Sequence, residues 1–203
     1  MRELKAPEEI VVDGRTLREI LDTSSPAKPA VLKGADLAGA NLRNANLEDA
    51  NMWGVKMVHA ALTNANMKGV YLMRANLIGT DFSGANMADA NMMDANLIGA
   101  NMENATLTNV NFMGADMTVV NLTGANLRGA ILKDAVLKGA NLTNADLNGA
   151  DLTNADMKGV ILRGAKMKDT NLMNASIEES HEDDNQVKEK RTSILQRIFG
   201  TGH

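Results

Sequence analysis

Cysteine is missing from all 203 residues, so the chain has no disulfide framework, no thiolate nucleophile and no thiolate metal site. Aromatic residues are nearly as scarce: three Phe, one Tyr and one Trp, 2% of the sequence, cannot fill a conventional core, and Leu, Met and Ala must do so instead. No run of eighteen apolar residues occurs, which excludes a helix that spans a membrane. Met1 to Glu9 is charged and holds no apolar stretch of the length a secretory signal needs, so the expected location is the cytoplasm. Nor does one sign of charge dominate. The formal net charge is -4, and between Ala30 and Glu179 twelve Lys plus Arg stand against fifteen Asp plus Glu, so neither direct nucleic-acid binding nor strong acidic mimicry is expected from composition.

In place of these features the chain has a five-residue period that runs from Ala30 to Glu179 without insertion or deletion, thirty units in all. The first position is Ala in twenty-three units, and the third is Leu in eighteen and Met in nine. A strict short period marks a solenoid, in which each coil buries its face on the next. Five residues match neither the 3.6-residue turn of a helix nor the two-residue alternation of a strand, so the chain must turn within every unit. The fifth position shows how: it is Gly in fourteen units, Asn in seven and Asp in five, residues that accept positive φ at little cost. Positions one and three point inward, and Asn or Asp, which holds the second position in twenty units, is placed to bond backbone groups at the turns.

The outward residues give the number of units in a coil, because side chains one coil apart stack on each other. At the fourth position Trp53, Met73, Met93 and Met113 recur every twenty residues, with Met173 rejoining later, and Val58, Ile78 and Ile98 repeat on the next face. A fifteen-residue coil would set Trp53 beside Lys68 and Ser83, which share nothing with it. Four units per coil therefore predict about seven and a half coils and, at about 4.8 Å per layer, a column roughly 36 Å long.

Open solenoid ends expose apolar side chains and unpaired backbone and need caps. Residues 1–29 are expected to form the first, with a strand at Glu9 to Val12, a turn at Asp13-Gly14 and a helix over Arg15 to Asp22; Ile10, Val12, Leu17, Ile20 and Leu21 should lie over the first coil. Residues 180–203 start as a polar linker, after which Val187, Arg191, Ile194, Leu195, Ile198 and Phe199 fall at helical spacing. Three readings stay open for this segment: a cap or dimerisation helix, a helix that docks in a partner's groove, or a helix in weak contact with a membrane surface.

The units Ala35-Asp36-Leu37, Ala45-Asn46-Leu47, Ala125-Asn126-Leu127 and Ala145-Asp146-Leu147 resemble the tandem Ala-Asp/Asn-Leu-X-X units of the pentapeptide repeat family, and the resemblance covers about three quarters of the chain. It implies an all-β fold, a right-handed quadrilateral β-helix with four units per coil. For function it implies less. The best understood members are dimers that imitate DNA and protect DNA gyrase from toxins or quinolone drugs, others are secreted bacterial effectors, and many have no assigned role. This chain departs from the gyrase-protecting pattern in its balanced charge and in the absence of any loop that interrupts the coils.

No catalytic constellation is recognisable: there is no triad, phosphate-cradling loop or metal-ligand spacing, and flat outer walls do not provide the concave, partly dry site that catalysis needs. An enzyme, a cofactor and a bound metal are therefore not expected. His59 reads as a solvated turn residue, and His181 beside Glu182, Asp183 and Asp184 as part of a solvated linker. The feature left is an apolar exterior: Trp53, Met73, Met93 and Met113 with Tyr71 beside them, and Val58, Ile78 and Ile98 on the adjoining face. Such a surface suits a protein partner or a second copy of the chain. The alternative is a DNA mimic directed at a topoisomerase, acting through surface carboxylates such as Asp81, Asp116, Asp151 and Asp156.

Overall fold

The computed structural model describes residues 4–25 and 27–179. From Val31 onward the second residue of each unit pairs in parallel with the second residue twenty positions later, as in Val31 with Asn51, Asn51 with Tyr71 and Asp116 with Val136. Four units thus make one layer, as the outward residues predict. Most layers meet through one paired residue per unit. Among the described layers of the column, continuous strands form at the last one alone, where β3 (Asp156–Val160) runs parallel to β4 (Ser176–Glu179). A unit has a single extended residue between turns, so an all-β column can be built almost wholly from isolated bridges.

In a unit with Asn or Asp at its second position every amide has a place to go. In the unit that starts at Ala50, the Asn51 N–H donates to the Ala30 carbonyl at 2.9 Å and the Met52 N–H to the Tyr71 carbonyl at 2.8 Å. The Gly54 N–H donates to the Met73 carbonyl at 2.9 Å, and the Val55 N–H closes the turn on the Met52 carbonyl at 3.1 Å. The amide that remains, at position four, is met by the Asx side chain: the Trp53 N–H donates to Asn51 Oδ1 at 3.3 Å. Each of the twenty Asn and Asp residues at the second position makes this bond to the amide two residues on. Every fifth residue from Gly34 to Asn174 has positive φ, including the non-glycine ones. Val119, at φ 51°, is the β-branched exception, a conformation that costs such a residue about 1 kcal/mol or more.

The inward positions form one continuous apolar cluster, with Leu97 and Leu127 fully buried among Ala and Met. Two Phe fit the column at Phe82 and Phe112. Thr80 replaces the usual Ala, and its hydroxyl donates to the Met57 carbonyl at 2.7 Å, so the polar group is buried with a partner.

The N-terminal segment departs in detail from its sequence reading. Glu9 belongs to a 3-10 turn (Pro7–Glu9), β1 is only Val11–Val12, and it pairs antiparallel with β2 (Arg15–Thr16). The helix, α1 (Leu17–Thr23), begins two residues later than expected, because Thr16 caps it. The Glu19 N–H donates to Thr16 Oγ1 at 3.2 Å, and the Thr16 N–H donates to Glu19 Oε2 at 2.8 Å. Ile10, Leu17 and Ile20 are buried in the same cluster as Leu32 and Leu37, and Val12 and Leu21 pack against it half-buried. Lys5 adds a backbone layer: its N–H donates to the Gly39 carbonyl and its carbonyl accepts from the Asn41 N–H, both at 2.8 Å.

Asn101 shows what the Asx residue contributes. Its Oδ1 accepts from the Glu103 amide at 3.2 Å and from Asn121 Nδ2 at 3.0 Å, while its Nδ2 donates to Asp81 Oδ1 at 3.2 Å. Asn101→Ala is expected to lower the unfolding free energy by about 1 to 3 kcal/mol in urea titrations. Thr106→Asn supplies an absent turn acceptor and should raise it by about 0.5 to 1.5 kcal/mol. Unchanged midpoints in both variants would remove the side-chain bond from the account of the turn.

Candidate interaction surface

Each of the four walls collects every fourth unit. The first wall takes the units that start at Ala30, Ala50, Val70, Ala90, Val110, Ala130, Ala150 and Thr170; the second wall is one unit further along. Position two lies mid-wall, where the layers pair, and positions four and five form the turn at the corner. The two apolar stripes read from the sequence therefore run along two successive corners rather than across flat faces.

The structure brings the members of each stripe together in register. The Gly54 N–H donates to the Met73 carbonyl, the Arg74 N–H to that of Met93 and the Asp94 N–H to that of Met113, which stacks Trp53, Met73, Met93 and Met113 layer on layer. The His59 N–H donates to the Ile78 carbonyl and the Gly79 N–H to that of Ile98, which does the same for Val58, Ile78 and Ile98. Trp53 is 40% exposed and Tyr71, mid-wall beside the first stripe, 54% exposed. Met73, Met93, Met113, Val58, Ile78 and Ile98 are half-buried, each shielded by its neighbours along the corner. The remaining candidates, Val187, Arg191, Ile194, Leu195, Ile198 and Phe199, lie outside the described residues.

Five of the eight large apolar residues left exposed among the described residues sit on the first wall or its corner: Val31, Trp53, Tyr71, Ile131 and Met173. The wall thus extends further than the sequence reading had it, through seven layer spacings, about 34 Å. Lys33 is a further member that was not anticipated, with Nζ 5.0 Å from the centroid of the Trp53 ring. Its signal was present, since Lys33 precedes Trp53 by the same twenty residues that relate the stripe to itself. Beside Met73, Arg74 Nε lies 3.8 Å from Asp94 Oδ2, an exposed ion pair.

The carboxylates of the alternative reading are not gathered. Asp151 is on the first wall, Asp116 and Asp156 on the second and Asp81 on the third. All four accept hydrogen bonds from within the chain, Asp116 from the Thr118 amide at 3.0 Å and hydroxyl at 2.6 Å. At Asp81 burial pushes the carboxyl pKa up, but the Ser83 amide, the Thr63 hydroxyl and Asn101 Nδ2 together outweigh it and hold it below the ordinary value. At Asp156 burial again acts upward and is overcome by the Lys138 ammonium at 3.2 Å, the Lys158 amide and the Ser176 hydroxyl. The Thr153 hydroxyl and amide lower Asp151.

His59 lies over the neighbouring layer, with its Nδ1 2.5 Å from where a Cβ at Gly79 would fall, so a larger residue there would have to displace the imidazole. A shallow cleft of about 520 Å³ separates α1 from the first coils, lined by Pro7, Arg18, Leu21, Asp22 and residues 41–46, with Arg18 already paired to Glu8 at 2.7 Å. Among the described residues no three His, Asp or Glu side chains are placed to hold a metal ion, and no helix is long and apolar enough to cross a membrane.

The family model described as pentapeptide repeats matches the chain in overlapping segments, 30–63, 56–92, 71–109, 90–129, 120–159 and 135–178. No curated protein matches it. Among solved structures it is similar to HetL, a pentapeptide repeat protein involved in heterocyst differentiation regulation in the cyanobacterium Nostoc sp. strain PCC 7120, at 29% identity over 72% of this chain and 82% of that one, with a TM-score of 0.36. It is also similar to QnrB1, a plasmid-mediated fluoroquinolone resistance protein, at 16% identity over 85% and 91% of the two chains, with a TM-score of 0.45. A third likeness is to another pentapeptide repeat protein of Nostoc, at 23% identity over 61% and 84%, with a TM-score of 0.42.

Because the folded-state pKa of Asp81 is lowered, its carboxylate stabilises the column above the unfolded-state value of about 3.9, and this stabilisation is lost as pH falls through the folded value. Unfolding measured between pH 7 and pH 2 should show stability falling below about pH 4, and Asp81→Asn should flatten that fall. An identical pH profile in the variant would contradict the role given to the Asp81 hydrogen bonds.

Proposed function

The chain belongs to the pentapeptide repeat family, and from that premise we propose that it is a non-enzymatic scaffold that binds protein through the first wall of its column. The observation that carries this reading is the concentration of exposed Val31, Trp53, Tyr71, Ile131 and Met173 on that wall and its corner, where Trp, Tyr and Met are residue types favoured at interface centres. We read the array as about seven and a half coils wound right-handed, on the twenty-residue pairing and on the handedness of the family's β-helices.

The occupant that this wall fits is a second copy of itself. Two first walls set antiparallel, with the twofold axis between the Asn91 and Asn111 layers, bring Tyr71 of one copy level with Ile131 of the other and Met93 level with Met113. The same symmetry sets Arg74 level with Asp134, twice, which gives two complementary charge pairs at the corner.

Sedimentation across concentration should show a dimer for the natural chain. Trp53→Lys combined with Met93→Lys should weaken it at least tenfold while leaving the unfolding midpoint close to its starting value, because both side chains face outward. A chain that stays monomeric at every concentration, or a double variant that dimerises as before, would reject the wall as a self-association surface.

Direct competition with DNA on a topoisomerase gathers less support, because its candidate carboxylates are spread over three walls and occupied by internal donors. Gyrase supercoiling is expected to proceed unchanged at micromolar protein, with or without a quinolone. Inhibition or protection in that assay would favour the mimic over the scaffold.

A further inference from the structure

The two ends of the column differ. At the start, the inward residues Leu32, Leu37 and Leu42 are as closed to solvent as those of the middle, because β1, β2 and α1 lay Ile10, Leu17 and Ile20 over them. At the other end Leu162, Ala165, Met167, Ala175 and Ile177 hold the same inward positions but are only partly buried. Among the described residues nothing lies over them.

We propose that this open end is the docking surface for the chain's own residues 180–203, which close it as a second cap. The proposal is independent of the first-wall reading. Position is the first argument: Glu178 pairs with Lys158 and Glu179 with Val160, so the chain leaves the column at the last layer, beside the opening itself. Composition is the second. Val187, Ile194, Leu195, Ile198 and Phe199 fall at helical spacing, so a helix over this stretch would carry one apolar stripe, the kind of surface that α1 presents to the first coil with Leu17 and Ile20. Length is the third. The seven residues of α1 reach about 10 Å and are enough at the start of the column, while residues 187–199 would reach about 20 Å as a helix. The stretch from Ser180 to Gln186, at about 3.3 Å per residue when extended, is long enough to reach back across the opening. A closed end also hides the unpaired backbone of the last layer, which would otherwise invite pairing with another chain.

The absence of native cysteine makes the test direct. In the full chain, Met167→Cys combined with Ile194→Cys joins the opening to the tail, and Met173→Cys combined with Ile194→Cys joins the outer corner of the same region to the same tail residue. Under dilute oxidising conditions the first pair should close within one chain at least tenfold faster than the second, seen as a compact monomer on a non-reducing gel. Disulfide-linked dimers from the first pair would instead assign the opening to a second copy, and equal or absent closure of both pairs would show that the tail does not dock there; either result overturns the proposal. Hydrogen exchange provides a check that needs no cysteine. Ile194→Asp with Ile198→Asp, outside the column, should speed exchange at least tenfold across 162–177 and leave 92–112 unchanged, and unaltered exchange across 162–177 overturns the proposal as well.

Discussion

The turn that closes each unit is the constraint on which the column depends. It has two parts, a fifth residue held at positive φ and a second-position oxygen that accepts the fourth-position amide. Together they bend the chain every five residues while leaving the other amides free to bond the layers above and below. The tube can then be filled by Ala and Leu because the turns fix its width. Where a polar residue replaces Ala inside, as at Thr80, its hydroxyl is satisfied by the Met57 carbonyl.

From that regularity comes the form of anything the surface can do. Residues that converge in space are those twenty apart, so a functional surface on such a column is a ladder of like residues and not a pocket of unlike ones. The Asn ladder of Asn101 and Asn121 is one instance, in which the amide of one layer donates to the next at 3.0 Å. The Trp53, Met73, Met93 and Met113 corner is another. The thirty units contain no insertion or deletion that would interrupt the ladder.

Much of this architecture is legible in the sequence because the period does both jobs at once: it names the inward residues and it gives the layer spacing. Trp53 and Met73 share a corner for no other reason than their separation by twenty. What was not legible lies where the period stops. The start of α1 depends on the Thr16 and Glu19 capping bonds, a local competition that overrides the apolar pattern from Arg15 onward. The placement of the stripes on corners rather than walls depends on where the turn falls within the unit, which the alternation of residue types does not reveal. Lys33 over Trp53 shares the position and the twenty-residue spacing of the corner, but its charge keeps it out of a pattern of apolar residues.

The second position also separates what the fold needs from what the surface presents. Asn or Asp there contributes a turn bond, so each unit that carries something else gives up local stability. On the fourth wall this position reads Asn46, Asn66, Asn86, Thr106, Asn126, Asp146 and Lys166, with no apolar member. On the first wall it includes Val31, Tyr71 and Ile131, all exposed. The β propensity of Val, Tyr and Ile offsets part of the loss but applies equally to every wall, so it does not explain why two of the four walls differ in this way. Departures from a local rule without local compensation are expected where a surface is used. Every wall has departures, but those of the first wall, Val31, Tyr71 and Ile131, are all apolar and exposed, against Ile161 alone on the third. Those three are the side chains a second protein surface would cover.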